Sequence, residues 1–187
     1  MYKKSLITIV FTLFSWNAFA QDMSLGLRFG DPLAVSFKKY LKGGRNAFEL
    51  NVGSYGYMYG YGRYNNGRYN GRYRYYGDYY YKQGGIVIMG DYLWQKPFSK
   101  TKELSWYVGL GGQLRTLSYL KDKDKDGFYD DDVSGIGIGP DGVLGIEWIP
   151  NDIPEIAVFL DTRIYLEIIP QPWVIPQVGV GVRYNFK

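Results

Sequence analysis

The stretch Pro176-Gln177-Val178-Gly179-Val180-Gly181-Val182-Arg183-Tyr184-Asn185-Phe186-Lys187 alternates without a break from Gln177 to Phe186. Val178, Val180, Val182, Tyr184 and Phe186 share one parity; Gln177, Gly179, Gly181, Arg183 and Asn185 share the other. Successive side chains of an extended chain point to opposite faces, so this pattern specifies a strand with one apolar and one polar face. About ten such residues are also what a tilted strand needs to cross a bilayer. Any half-buried strand alternates, however, so the remainder of the chain has to agree before a membrane is invoked.

It does agree. Seven earlier segments carry the same signal: Ser24–Gly30, Leu33–Tyr40, Ala47–Ser54, Gly85–Trp94, Ser105–Leu117, Ile136–Ile149 and Ile156–Ile168, with Gln177–Phe186 as the eighth. With 20 Tyr, 25 Gly and 5 Trp, the composition favours strands over helices. The first connection, Gly30-Asp31-Pro32, is tight, as a proline-initiated turn should be. The others alternate between short (41–46 and 150–155) or intermediate (95–104) and long (55–84 and 118–135). An up-and-down barrel inserted from one side sorts its loops in this way, and a soluble sandwich has no reason to.

The residues before Ser24 read as an export signal. Lys3-Lys4 form a charged start, Ser5 to Phe14 are mostly apolar, and Ala18-Phe19-Ala20 is a small-x-small cleavage pattern. The expected organisation is a cleaved segment 1–20 and a barrel over 21–187. The apolar run is too short for a helical span. Net charge is +4, nearer +2 without Lys3 and Lys4, too little to suggest nucleic acid. Cysteine and histidine are absent, which excludes disulfides, thiolate metal sites and histidine base catalysis.

Several phrases resemble a known family. Arg28-Phe29-Gly30-Asp31-Pro32-Leu33-Ala34-Val35-Ser36-Phe37-Lys38-Lys39-Tyr40-Leu41 resembles a first hairpin, and Gly142-Val143-Leu144-Gly145-Ile146-Glu147-Trp148 with Ile153-Pro154 a sixth strand and its turn. The family is that of small eight-stranded bacterial outer-membrane β-barrels, of the OmpX and OmpA transmembrane type. The closing aromatic Phe186, one residue before Lys187, is similar to the signal that such chains offer the barrel-insertion machinery. The resemblance implies an all-β antiparallel barrel in a Gram-negative outer membrane, among lipid and lipopolysaccharide, as a monomer. It implies no activity. The barrel enzymes of that membrane use a catalytic histidine that this chain lacks. An acid pair such as Asp161 with Glu167 is the remaining formal candidate.

Parity sorts the strands into an apolar face, including Leu27, Leu50, Ile88, Leu110, Leu144 and Leu160, and a charged one. The charged face carries Arg28, Lys38, Glu49, Asp91, Arg115, Asp141, Glu147, Asp161, Arg163, Glu167 and Arg183, interspersed with glycines. Alternation does not say which face points inward, and a soluble β-protein with an apolar core fits the same pattern. Aromatic placement favours apolar-outward. Phe48, Trp94, Trp106, Trp148, Tyr184 and Phe186 share the apolar parity and fall at one end of their strands, as an interfacial girdle requires. The inward charges are then expected to pair, with Arg28, Arg115 and Arg183 meeting Glu49, Glu147 or Glu167, as a register-fixing plug or else a selectivity ring.

Both long loops carry motifs. In the third outer loop Asp122, Asp124, Asp126, Gly127 and Asp130 occupy positions 1, 3, 5, 6 and 9 of a calcium loop, with Phe128 supplying a carbonyl at 7. Val133 stands where a bidentate Glu belongs, so a plain solvated acidic loop is the competing reading. The loop 55–84 holds twelve tyrosines and the arginines 63, 68, 72 and 74 in a loose Gly-Arg-Tyr-Asn repeat. Arg and Tyr suit a surface glycan, lipopolysaccharide or another cell; an unstructured, tandem-expanded loop is the alternative.

Overall fold

Two-faced strands cannot leave their edges open, and closing the sheet on itself removes the edges. The computed structural model describes residues 22–41, 46–56, 73–76, 79–82, 84–98, 103–121, 131–169 and 172–186. Among them are ten strands: β1 (Met23–Gly30), β2 (Leu33–Tyr40), β3 (Asn46–Tyr55), β4 (Tyr73–Tyr76), β5 (Tyr79–Lys82), β6 (Gly85–Pro97), β7 (Leu104–Lys121), β8 (Asp131–Trp148), β9 (Ile156–Glu167) and β10 (Trp173–Phe186). Eight of them close an antiparallel ring in the order β1-β2-β3-β6-β7-β8-β9-β10, with β10 pairing back onto β1. The all-β, eight-stranded up-and-down barrel is therefore the fold, and no described residue is helical.

The strand ends Met23, Tyr40, Asn46, Pro97, Leu104, Trp148, Ile156 and Phe186 lie at one rim, the terminal rim. Gly30, Leu33, Tyr55, Gly85, Glu167 and Trp173 mark the far rim, beyond which β7 and β8 continue to Lys121 and Asp131.

Three boundaries differ from the sequence expectation. β7 and β8 run on past Leu117 and back before Ile136, pairing up to Lys121 opposite Asp131, which shortens the expected loop 118–135 to 122–130. β10 starts at Trp173 instead of Gln177, so that Pro176 lies inside it. Proline is tolerated there because β10 at that height pairs with β9 alone; its ladder with β1 ends at Gly179. Finally, the second half of the Tyr-rich loop is not without structure. β4 and β5 form a hairpin, and β5 pairs with β7 from Lys82 opposite Ser118 to Tyr79 opposite Lys121. β6 leaves that edge of β7 beyond the pair Val87–Arg115, and tyrosine-rich chain readily takes up an unpaired edge.

The apolar parity faces out. Leu27, Leu50, Leu110, Leu144, Leu160, Val180 and their neighbours are exposed, whereas every charged residue of the opposite parity is buried. The soluble inside-out arrangement is excluded by this orientation. Large inward side chains fit because inward glycines lie beside them. A Cβ on Gly145 would stand 2.4 Å from the Tyr107 ring, one on Gly181 2.3 Å from the Phe159 ring, and one on Gly179 2.3 Å from the Arg28 guanidinium. The interior is thus more than glycines and charges. Ala47, Leu93, Tyr107 and Val143 form one apolar cluster inside it, and Ala34, Val87 and Met89 a second.

Candidate functional site

The strands aim their charged parity into a lumen too narrow for free ions, so each charge must find a partner. In a ring of eight, β2 and β8 stand opposite one another, as do β3 and β9. Two ion pairs cross the lumen along these diameters. Lys38 Nζ on β2 donates to both carboxylate oxygens of Glu147 on β8 at 2.9 Å. Arg163 Nη2 on β9 donates to Glu49 Oε1 on β3 at 2.9 Å. Arg163 Nη1 also donates to Asp91 Oδ2 at 2.5 Å and Asp141 Oδ2 at 3.2 Å, so one guanidinium ties β9 to β3, β6 and β8. Its Nε lies 3.9 Å from Asp161, two residues away on the same strand face.

Arg183 on β10 lies one layer closer to the terminal rim. It donates to Ser36 Oγ at 2.9 Å, Glu147 Oε1 at 2.8 Å and Glu49 Oε2 at 2.7 Å. Glu49 and Glu147 are therefore shared acceptors that fuse the two diametral bridges into one network. Arg28 grips Asp161 through Nε and Nη2 and the Pro32 carbonyl through Nη1. Toward the far rim Arg115 is held differently: Nε and Nη2 donate to Gln113 Oε1, and the guanidinium lies 4.7 Å from the Tyr55 ring centre and 4.3 Å from that of Tyr165. Planar guanidinium on tyrosine is a cation–π arrangement.

Arg183 meets Glu49 and Glu147, two of the acids on the inward parity. Arg28, expected beside Glu49, Glu147 or Glu167, takes Asp161 instead, and Arg115 stacks between tyrosines. Asp161 and Glu167 do not form an acid pair: six residues of one strand separate them by about 20 Å, and Arg28 already occupies Asp161. Glu167 lies beside Gly137, where an added Cβ would come within 2.7 Å of its Oε2.

Alternation places Lys38 on the inward parity without indicating its partner, and gives no prominence to the uncharged members. Gln95 bridges Lys38 and Glu147, Asn51 donates to Glu49, and Gln113 joins Asp141 to Gln177. Their parity was the available signal; their amide groups add donors to Glu49, Glu147 and Asp141 beside those of the cations.

On the outside, the six girdle residues lie at the terminal rim. Phe48, Trp94, Trp148, Tyr184 and Phe186 are exposed, and Trp106 is half-buried. Tyr92 joins them, with its ring 5.0 Å and edge-on to both Phe48 and Trp94, while Tyr184 and Phe186 meet edge-on at 5.3 Å. Asp122, Asp124, Asp126, Phe128 and Asp130, the calcium candidates, lie outside the described residues, as do segment 1–20 and the repeat at 62–72.

A closed antiparallel ring of eight strands, apolar outside and ion-paired inside, is the design of a small outer-membrane barrel. Known structures of that class superpose on it. The N-terminal β-barrel domain of Pseudomonas aeruginosa OprF matches over 89% of this chain and 98% of its own, with a TM-score of 0.58 at 12% identity. Neisserial surface protein A (NspA) matches over 88% and 93%, with a TM-score of 0.54 at 12% identity. No family profile and no curated protein sequence matches the chain.

Proposed function

We propose that this chain is a non-enzymatic, monomeric protein of a Gram-negative outer membrane, exported by a cleavable signal and inserted by the barrel-insertion machinery. Its barrel is a sealed anchor, and its function is structural or lies in surface contacts made by the far-rim loops with lipopolysaccharide, glycan or another cell. The observation that carries this reading is the pairing of an apolar exterior with an interior crossed by ion pairs along two diameters. In water the exterior would be a very large exposed apolar surface; in lipid it is the required one. β9 has 12 residues, about 40 Å of strand, which at the usual tilt spans about 30 Å of membrane normal. The terminal-rim aromatics then lie at headgroup level.

Cysteines placed singly at 158, 160 and 164 and probed with a hydrocarbon-soluble reagent in vesicles test the orientation; failure of all three to label would invert the barrel. A second reading, a narrow pore, is disfavoured by the two bridges across the lumen. Planar-bilayer recordings separate the two: a plugged barrel gives no conductance steps, and reproducible steps would establish a pore.

A further inference from the structure

Among the described side chains of the eight barrel strands, the outward parity carries two charges, Lys39 on β2 and Lys96 on β6, and no acid. Both lie at the terminal rim. The Lys39 ammonium has no hydrogen-bond or ion-pair partner among the described residues. Register sets Lys39 in one row with Phe48 and Tyr92, whose rings meet edge-on at 5.0 Å. The next row toward the far rim is Phe37, Leu50 and Gly90. Gly90 breaks that row: a Cβ built there would meet no atom within 4 Å. Phe37, Phe48, Leu50 and Tyr92 therefore stand around a hollow of about 420 Å³ in the outward surface. Glu49 and Asp91 border it as well, but their carboxylates turn into the lumen and bond Arg163. Gly90 lies seven residues before Pro97, so the hollow runs from the rim into the apolar belt. Lys96 repeats the arrangement: it pairs with Trp106 at the edge of a second outward groove, of about 480 Å³, walled by Leu144, Ile146 and Leu160.

We infer that the hollow over Gly90 seats an acyl chain of an anionic phospholipid whose phosphate is held by Lys39. Its walls are apolar or aromatic, and a glycine inside a strand gives up packing of its own and lets another group approach the backbone closely. A lysine at the edge of the apolar belt lays its stem along hydrocarbon and carries its ammonium to the headgroup layer. There it attracts phosphate. With no acid on this face to receive a headgroup amine, a lipid of net negative charge is favoured over a zwitterionic one. A second copy of the chain fits less well, because the outward parity it would present is cationic too and brings Lys39 no counter-charge. The position of Lys39 also decides the leaflet: the lipid belongs to the terminal-rim side, away from the far-rim loops. The inference rests on the membrane-barrel reading above.

The test uses the full chain folded into phosphatidylcholine nanodiscs doped with phosphatidylglycerol or phosphatidylcholine carrying a photoactivatable diazirine in the acyl chain. Adducts formed on irradiation are mapped by peptide mass spectrometry. The phosphatidylglycerol probe should mark Phe37, Leu50 and Tyr92 about fivefold more than the phosphatidylcholine probe, the preference that one interfacial lysine supplies. It should show no such excess at Val158 and Val182, which pair on β9 and β10 across the barrel. Lys39→Gln should bring the two probes level at the hollow, Lys39→Arg should keep the preference, and Lys96→Gln should leave it within about twofold. Gly90→Leu fills the hollow and should cut the adducts at Phe37 and Leu50 about fivefold or more while those at Val158 and Val182 persist. Three results overturn the proposal: equal marking of the hollow by both probes, a preference that survives Lys39→Gln, or adducts at Phe37 and Leu50 indifferent to Gly90→Leu. Gel mobility before and after boiling, run on the same samples, tells the two readings apart. A folded, heat-shifted barrel without the preference loses only this lipid seat, whereas a chain that never gives the compact band loses the barrel reading as well.

Discussion

Replacing Arg163 with methionine is the sharpest perturbation of the interior. Its guanidinium is fully buried and serves Glu49, Asp91 and Asp141. Their dependence on it is unequal. Glu49 keeps Arg183 Nη2 at 2.7 Å and Asn51 Nδ2 at 2.7 Å, and Asp141 keeps Gln113 Nε2 at 2.8 Å. Asp91 keeps nothing comparable among the described residues: its Oδ2 bonds Arg163, and its Oδ1 has no protein partner. Breaking a buried pair by removing one partner costs about 3–5 kcal/mol, and here most of that falls on Asp91. Arg163→Met should therefore destabilise the barrel by about 4 kcal/mol, and adding Asp91→Asn should return about 1–3 kcal/mol of it. Adding Glu49→Gln instead should return almost nothing, because that substitution also removes the carboxylate charge that pairs with Arg183. The assay is urea unfolding of the protein folded in detergent micelles, followed by tryptophan fluorescence and by loss of the compact gel band. A loss below about 1 kcal/mol for Arg163→Met, or better rescue by Glu49→Gln than by Asp91→Asn, would refute the assignment of partners.

Three further outcomes are expected. Gly145→Val drives a side chain into the Tyr107 ring and should cost about 1–3 kcal/mol, with Tyr107→Ala restoring part of it in the double variant; equal stability of wild type and Gly145→Val in urea melts would show that the ring has room to move. Leu160→Arg, midway along the outward face of β9, should cost about 2–4 kcal/mol in lipid vesicles, and an unchanged unfolding midpoint there would argue against burial in hydrocarbon. If the Asp-rich loop holds calcium, millimolar calcium should raise the thermal midpoint of wild type and leave Asp124→Asn/Asp126→Asn unmoved; a wild type indifferent to calcium ends that reading.

Much of the fold was legible because a strand writes its two faces into the chain at period 2. Val178 to Phe186 and the inward series Asp161, Arg163 sort themselves by parity alone, and the girdle stands out because its rings share both a parity and a strand end. The departures from the alternation have local physical causes. Pro176 looks like a terminator until β10 proves to have one unpaired side at that height. Tyr73 to Lys82 look like repetitive loop until β7 offers them an edge. Tyr107 and Phe159 are not legible as inward residues because bulky rings are unexpected in so narrow a lumen; they fit beside glycines on neighbouring strands, a relation that no local window contains.

From residue order alone come the eight two-sided strands, the sorting of loops between the rims and the inventory of charges on one parity. Alternation leaves open which parity points inward, since a period-2 pattern is unchanged when the sheet is turned inside out; the girdle aromatics favour the charged one, and the closed ring places it there. Closure also chose the partners. Lys38 and Glu147 are 109 residues apart and meet only because β2 and β8 face one another across the ring, and angular position around a barrel leaves no mark on the alternation of any single strand.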